Sequence, residues 1–154
     1  MDKMEKKYDI NGWELSIIGY GEQKVNLQKL IDSLDCKSIQ LIDGNSDVKK
    51  IYKEASIYCM SSYFEGLPMV LIEAQSFGLP AISFDIYAGP SEILSCGSGI
   101  LVKDGDLDAY AKAIFDLIVS SELRSSMSSL AIENKHRFDG EVIAKEWTYQ
   151  LENL

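Results

Sequence analysis

The stretch FEGLPMVLIEAQSFGLPAISFD, residues 64–85, decides the fold because it holds a helix, a strand and the boundary between them. Pro68 is typical of a helix start, and Gly78 is typical of the position just past a helix end. We therefore predict a helix over Pro68–Phe77. The stretch Pro80–Asp85 that follows predicts a strand.

The alternation of strands and helices continues on both sides of this stretch. The predicted strands are Trp13–Tyr20, Ser38–Asp43, Ser56–Ser62, Pro80–Asp85 and Gly99–Val102. The predicted helices are Glu22–Leu34, Ser46–Ala55 and Pro68–Phe77, followed by three helical stretches from Asp106 onward. Strands that alternate with helices imply a parallel sheet covered on both faces. We predict an α/β fold, a doubly wound parallel sheet, as a single domain of residues 1–154 with a C-terminal helical tail.

Composition excludes several classes of protein. The chain has 154 residues, and no apolar run approaches the roughly 20 residues that a membrane-spanning helix needs. The formal net charge of −9 argues against nucleic acid as the main partner. The three cysteines are widely spaced, lack metal-site spacing and indicate reduced thiols in a cytoplasmic protein. We expect no metal site.

The start of the predicted helix is a candidate anion site. Gly66 and Leu67 offer no side chain that caps a helix, whereas Met69 and Val70 keep backbone N–H groups without helical partners. An uncapped N-terminus carries a partial positive charge and suits an anion such as a phosphate. The alternative is that water satisfies these groups.

Two glutamates flank this helix start. Glu73 lies among apolar neighbours, where it could accept hydrogen bonds from neutral hydroxyls such as the diol of a ribose. The alternative is an exposed polar stripe that Glu73 forms with Gln75 and Ser76. Glu65 precedes the helix and could hold sugar hydroxyls or stabilise positive charge at an anomeric carbon. The alternative for Glu65 is an ordinary loop glutamate.

The stretch ASIYCMSSYFEGLPMVLIEAQSFGLPAISFD resembles the donor-binding core of glycosyltransferase family 4, which has the GT-B fold. That family's pattern is similar to S-x-x-E-G-x-P-x-x-x-x-E-A-x-x-x-G-x-P. The residues that fill it in register are Ser62, Glu65, Gly66, Pro68, Glu73, Ala74, Gly78 and Pro80. The resemblance extends from about Trp13 to the C-terminus and implies the Rossmann-like C-terminal half of such an enzyme.

The resemblance implies a role for each matched residue. Glu65 is the catalytic glutamate that contacts the donor sugar, and Glu73 holds the ribose. Gly66, Leu67, Pro68, Met69 and Val70 supply the surface that contacts sugar and phosphate. The base lies near Ile42 and Gly44. The implied reaction transfers a hexose from a nucleotide-sugar, with UDP as the expected nucleotide, with retention of configuration and without a metal or other cofactor. The expected acceptor is a glycan or lipid-linked sugar in polysaccharide or lipopolysaccharide synthesis.

Two parts of the family pattern are missing, namely an N-terminal acceptor-binding domain and the first strand of this domain with its basic pair. We expect the chain to be inactive alone and to partner such an acceptor domain. Trp147, Tyr149 and Leu151 are expected either to be exposed and promote self-association or to pack locally. The full-length enzyme is expected in the cytoplasm, either free or bound peripherally at the inner face of the membrane.

The alternative function is a stand-alone, non-catalytic nucleotide-sugar-binding or interaction module. A half of an unrelated nucleotide-binding protein such as a dehydrogenase is disfavoured by the incomplete glycine fingerprint around Gly19 and Gly21.

Overall fold

The computed structural model describes residues 10–34, 36–44 and 47–153. The chain divides into two compact units, Met1–Ile51 and Tyr52–Leu154. The helices and strands are numbered separately in chain order.

The first unit contains a parallel pair of strands. Its elements are β1 (Leu15–Gly19), α1 (Lys24–Ser33) and β2 (Ile39–Asp43), and α2 (Val48–Glu54) begins in it. Leu15 pairs with Ile39 and Gly19 with Asp43, so the two carboxyl ends lie side by side. The Asp47 side chain accepts a hydrogen bond from the Lys50 N–H at 3.2 Å and caps α2. Ser46, the predicted first residue of this helix, lies outside the described residues.

The second unit contains three parallel strands in the order β3-β4-β5. Its elements are β3 (Tyr58–Met60), α3 (Met69–Ser76), β4 (Ala81–Asp85), α4 (Pro90–Ile93), β5 (Gly99–Lys103), α5 (Leu107–Val119), α6 (Ser121–Asn134), a 3₁₀ helix (Lys135–Phe138) and α7 (Gly140–Glu152). The predicted α/β fold with parallel strands joined by helices is confirmed. β3 is shorter than predicted because only Tyr58–Met60 pairs with β4, after which the chain leaves the ladder.

Both faces of the three-stranded sheet are buried. Along β4, Ile82 and Phe84 belong to one apolar cluster, which includes Tyr110 and Leu117 of α5. Ala81 belongs to a second cluster, which includes Leu71 of α3. Successive side chains of a strand point to opposite faces, so one strand supplies both clusters. This arrangement explains why the four residues 81–84 are all buried rather than alternately buried and exposed.

Helix α7 presents large apolar side chains to solvent. Trp147 is 66% exposed, and Tyr149 and Leu151 are exposed to nearly the same extent. Of the two alternatives expected for these residues, the structure supports exposure over local packing. No helix in the described ranges is both long enough and apolar enough to cross a membrane.

Candidate functional site

The candidate site lies at the start of α3, directly after the turn formed by Glu65–Pro68. The helix begins without a side-chain cap, and Pro68 occupies the N-cap position. The Leu71 N–H donates to the Pro68 carbonyl at 2.9 Å, whereas the described residues provide no acceptor for the N–H groups of Met69 and Val70. These groups are therefore available to an anion, and the predicted uncapped helix start is confirmed.

Gly78 ends α3 at its C-terminus. Gly78 has a φ of +74°, its N–H donates to the Gln75 carbonyl, and the Leu79 N–H donates to the Ala74 carbonyl. This pair of bonds is a Schellman motif, which requires a left-handed residue and so favours glycine. A Cβ at Gly78 would also lie 3.1 Å from the Ser128 hydroxyl of α6. The glycine of the recognised pattern therefore ends the helix and allows α6 to pack closely against it.

Glu73 is exposed, one helical turn in from the start of α3. Its Oε2 accepts a hydrogen bond from the Tyr52 hydroxyl at 3.3 Å. The alternative of an exposed polar stripe holds for Glu73 and Ser76 but not for Gln75, which is buried and hydrogen-bonds to the Ser98 hydroxyl. Glu73 is therefore a solvent-accessible carboxylate with a neutral hydrogen-bond donor beside it.

Two tyrosines in contact with each other lie near Glu73. Burial raises the pKa of Tyr58 to about 12, and the negative charges of Glu73, Cys59 and Glu65 add to the increase in that order. Burial also raises the pKa of Tyr52, with further contributions from Tyr58 and Glu73. The charges of both glutamates thus act on the Tyr58 hydroxyl, and the hydrogen bond from Tyr52 places Glu73 beside these tyrosines.

Tyr52 and Tyr58 were missed by sequence reasoning. Tyr52 stacks on Phe77 with ring centroids 5.2 Å apart and an interplanar angle of 19°. It contacts Tyr58 with centroids 6.0 Å apart and a tilt of 47°. No motif in the sequence marked the Tyr52 hydroxyl as a partner of Glu73.

The loop between β4 and α4 packs against the turn before α3. Gly89 has a φ of +94°, and a Cβ there would lie 2.3 Å from Pro68 Cδ and 3.1 Å from the Gly66 carbonyl oxygen. Only a residue without a side chain fits this contact. Gly89 therefore helps to hold the turn that carries Gly66, Leu67 and Pro68.

The turn itself is accessible to solvent. Glu65 is half-buried, while Gly66, Leu67, Met69 and Val70 are exposed. The neighbouring aromatic residues Tyr63 and Phe64 are also exposed. The predicted sugar and phosphate surface is thus an open one in which backbone groups can be reached from solvent.

Ile42 and Gly44 lie in the first unit, at the carboxyl end of β2. The Gly44 N–H donates to the Gly19 carbonyl at 3.2 Å, and Ile42 is half-buried. A Cβ at Gly44 would lie 2.7 Å from the Tyr20 ring. Gly44 therefore allows close approach of the two loops that follow β1 and β2.

Potential metal ligands do not cluster in the parts of the chain that the structure describes, where no group of three or more His, Cys, Asp or Glu side chains lies together. The single histidine, His136, is exposed and its Nδ1 lies 2.7 Å from Asp139 Oδ2. It pairs with a neighbouring surface residue away from the Glu65–Glu73 region of the sequence.

Sequence comparison identifies relatives of the chain. The sequence model of the family described as Glycosyl transferases group 1 matches residues 1–134. The amylovoran biosynthesis glycosyltransferase AmsD of Erwinia amylovora is 34% identical over 137 residues, which cover 88% of this chain and 39% of AmsD. An uncharacterized glycosyltransferase of Haemophilus influenzae is 35% identical over 146 residues, which cover 94% of this chain and 41% of that protein. The chain thus spans about two fifths of the length of these relatives.

Solved structures share the fold at lower sequence identity. The crystal structure of TarM matches with a TM-score of 0.86 and 24% identity, over 96% of this chain and 30% of TarM. The structure of HepE from Anabaena in complex with UDP matches with a TM-score of 0.81 and 21% identity, over 92% of this chain and 41% of HepE. These similarities confirm the predicted Rossmann-like α/β fold class.

Proposed function

Because the chain belongs to the glycosyl transferases group 1, we propose that it forms the donor-binding domain of a glycosyltransferase. The enzyme transfers a hexose from a UDP-sugar, with retention of anomeric configuration, to a glycan or lipid-linked acceptor in polysaccharide or lipopolysaccharide synthesis. Names of relatives support this choice of pathway, among them a lipopolysaccharide 1,6-galactosyltransferase of Salmonella typhimurium. The UDP complex of HepE supports the choice of nucleotide.

The proposal rests on the uncapped start of α3, which Glu65 precedes and Glu73 follows by one helical turn. The free N–H groups of Met69 and Val70 bind the diphosphate, and the helix adds roughly half a positive elementary charge at this end. Glu73, one turn further along, accepts hydrogen bonds from the two ribose hydroxyls. Glu65 accepts hydrogen bonds from the donor sugar and faces the anomeric carbon.

The charge distribution fits the proposed chemistry. Cleavage of the bond between the anomeric carbon and the phosphate oxygen leaves the electron pair on the nucleoside diphosphate. The N–H groups at the start of α3 stabilise that negative charge. The Glu65 carboxylate stabilises the positive charge that develops on the sugar. Because protein groups stabilise both developing charges, we propose that the reaction needs no metal ion. We also propose that Glu65 is the catalytic residue.

The proposal extends to residues and partners beyond α3. Ile42 and Gly44 contact the base, and residues 1–154 form one donor domain. An acceptor-binding domain completes the active site. We propose this because relatives of this family are more than twice as long as the matched region.

Binding of UDP, GDP and ADP to the chain, measured by calorimetry, tests the donor site. We expect UDP to bind most tightly and addition of a chelator to leave its dissociation constant unchanged. Glu73→Ala should weaken UDP binding about 10- to 100-fold, because it removes hydrogen bonds to a charged acceptor. Glu133→Ala is the matched control, since Glu133 is also an exposed carboxylate on a helix. Equal effects of the two substitutions would contradict the proposed role of Glu73.

The stereochemistry is tested on the product. Proton NMR of the transferred sugar, made by the chain together with its acceptor domain, should show the same anomeric configuration as the donor. An inverted product would refute retention without affecting the assignment of the donor site. Glu65→Gln should lower the rate of transfer much more than it weakens binding of UDP, because UDP lacks the donor hexose that Glu65 is proposed to contact.

A further inference from the structure

Glu73 needs an orienting group if it is to hold a ribose. An exposed glutamate samples several rotamers, and fixing such a side chain costs conformational entropy. Among the hydrogen bonds of the described residues, the donor that reaches the Glu73 side chain is the Tyr52 hydroxyl, at 3.3 Å from Oε2. The same hydroxyl lies 3.5 Å from the Val70 carbonyl oxygen, a longer contact to a neutral acceptor. A phenol has one proton to donate, and a charged acceptor makes the stronger hydrogen bond. The Tyr52 hydroxyl therefore donates to the Glu73 carboxylate rather than to the Val70 carbonyl.

Tyr52 is itself held rigidly. It is only 9% exposed, and its ring stacks on Phe77 and tilts against Tyr58. Its position is therefore set by packing and does not depend on the bond to Glu73. Burial raises the pKa of Tyr52, so the phenol keeps its proton and remains a donor throughout the neutral range.

The bond leaves the carboxylate free to bind a ligand. A carboxylate has two oxygens with about four acceptor positions in total, and Tyr52 uses one of them on Oε2. The remaining positions on Oε1 and Oε2 can accept two hydroxyls on adjacent carbons. A neutral donor such as a phenol also avoids adding a positive charge that would compete with the ligand's hydroxyls for the Glu73 carboxylate.

We infer that Tyr52 is a positioning residue that holds the Glu73 carboxylate in the orientation that accepts the ribose diol. The inference rests on the proposed function of the Glu73 site. Tyr52 does not touch the nucleotide; it acts through Glu73. Its contribution should therefore appear only for ligands that carry the diol.

The test compares UDP with 2′,3′-dideoxy-UDP in binding to wild-type protein and to Tyr52→Phe. Phenylalanine keeps the ring that stacks on Phe77 and removes only the hydroxyl, so the fold is preserved. We expect Tyr52→Phe to weaken UDP binding about 3- to 10-fold and to leave dideoxy-UDP binding unchanged. Tyr110→Phe is the matched control, because the Tyr110 hydroxyl donates to backbone carbonyls of Met60 and Ile82. It should leave the ratio of the two dissociation constants unchanged.

The outcomes separate this inference from the proposed function. If Tyr52→Phe weakens both ligands equally, or leaves UDP binding unaffected while Glu73→Ala weakens it, the positioning role is refuted and the donor site stands. If wild-type protein binds UDP and dideoxy-UDP equally well, Glu73 does not hold a ribose. The proposed role of Glu73 and the positioning role of Tyr52 are then both refuted. In the double variant Tyr52→Phe, Glu73→Ala, we expect no loss beyond that of Glu73→Ala alone.

Discussion

Substitution of Gly89 by alanine tests how the loop after β4 supports the turn before α3. Gly89 has φ of +94° and ψ of −59°, a combination that L-residues rarely adopt. The added Cβ would lie 2.3 Å from Pro68 Cδ, far closer than an ordinary contact of about 3.5–4.0 Å between carbon atoms. The clash is with a proline ring, which has no rotamer by which to move away.

The expected cost has two parts. Positive φ costs an alanine about 1–2 kcal/mol relative to glycine. The overlap with Pro68 requires a shift of more than 1 Å and costs about 1–3 kcal/mol more, as is typical when an extra group is inserted into a packed site. Gly89→Ala should therefore lower the free energy of unfolding by about 2–5 kcal/mol. If the protein relaxes by moving the turn, binding of UDP should weaken as well.

Urea unfolding followed by circular dichroism measures the loss of stability. Gly105→Ala is the control, because Gly105 also has a positive φ, of +75°, but a Cβ there would meet nothing within 4 Å. It should cost only the backbone part, about 1–2 kcal/mol, and leave UDP binding unchanged. Equal losses for the two variants would refute the claim that Gly89 is required by its contact with Pro68.

Three further predictions concern the core of the second unit. Leu71→Ala should lower the free energy of unfolding by about 2–5 kcal/mol in urea titrations, because Leu71 is fully buried; a loss below 1 kcal/mol would contradict that burial. Tyr110→Phe should cost about 1–3 kcal/mol by the same measurement, because the carbonyls of Met60 and Ile82 lose a donor, and an unchanged midpoint would count against these bonds. Burial raises the pKa of Tyr58 from 10.0 to about 12. The contribution of Tyr58 to the free energy of unfolding is therefore complete below pH 10 and is lost between pH 10 and about 12, where this tyrosine ionises only in the unfolded chain. Unfolding curves recorded across this range should show falling stability, and a flat profile would contradict the prediction.

Local signals explain why much of the fold could be predicted from the sequence. The bounds of α3 follow from Pro68 and Gly78, whose backbone preferences act within a few residues. The alternation of strands with helices predicts a parallel sheet covered on both faces, and residues of β4 do belong to apolar clusters on both faces of its sheet. The position of Glu73 one turn into α3 follows from the helix bounds alone.

Contacts between distant segments account for what the sequence left open. Nothing near Tyr52 in the sequence indicates that its hydroxyl meets Glu73, because that contact joins α2 to α3. The contact of Gly89 with Pro68 likewise depends on two loops that follow different strands. The exposure of Glu73 also was not decided by composition, since its neighbours in the sequence are apolar while the helix turns its side chain to solvent.

We propose that the start of α3 binds the diphosphate of a UDP-sugar. A titration of isotopically labelled protein with UDP, followed through backbone amide shifts in NMR spectra, would show whether it does. Saturable shifts should centre on Gly66, Met69 and Val70 and should require higher UDP concentrations in Glu73→Ala. An absence of shifts at these amides at millimolar UDP, or saturable shifts confined to other parts of the chain, would contradict the claim.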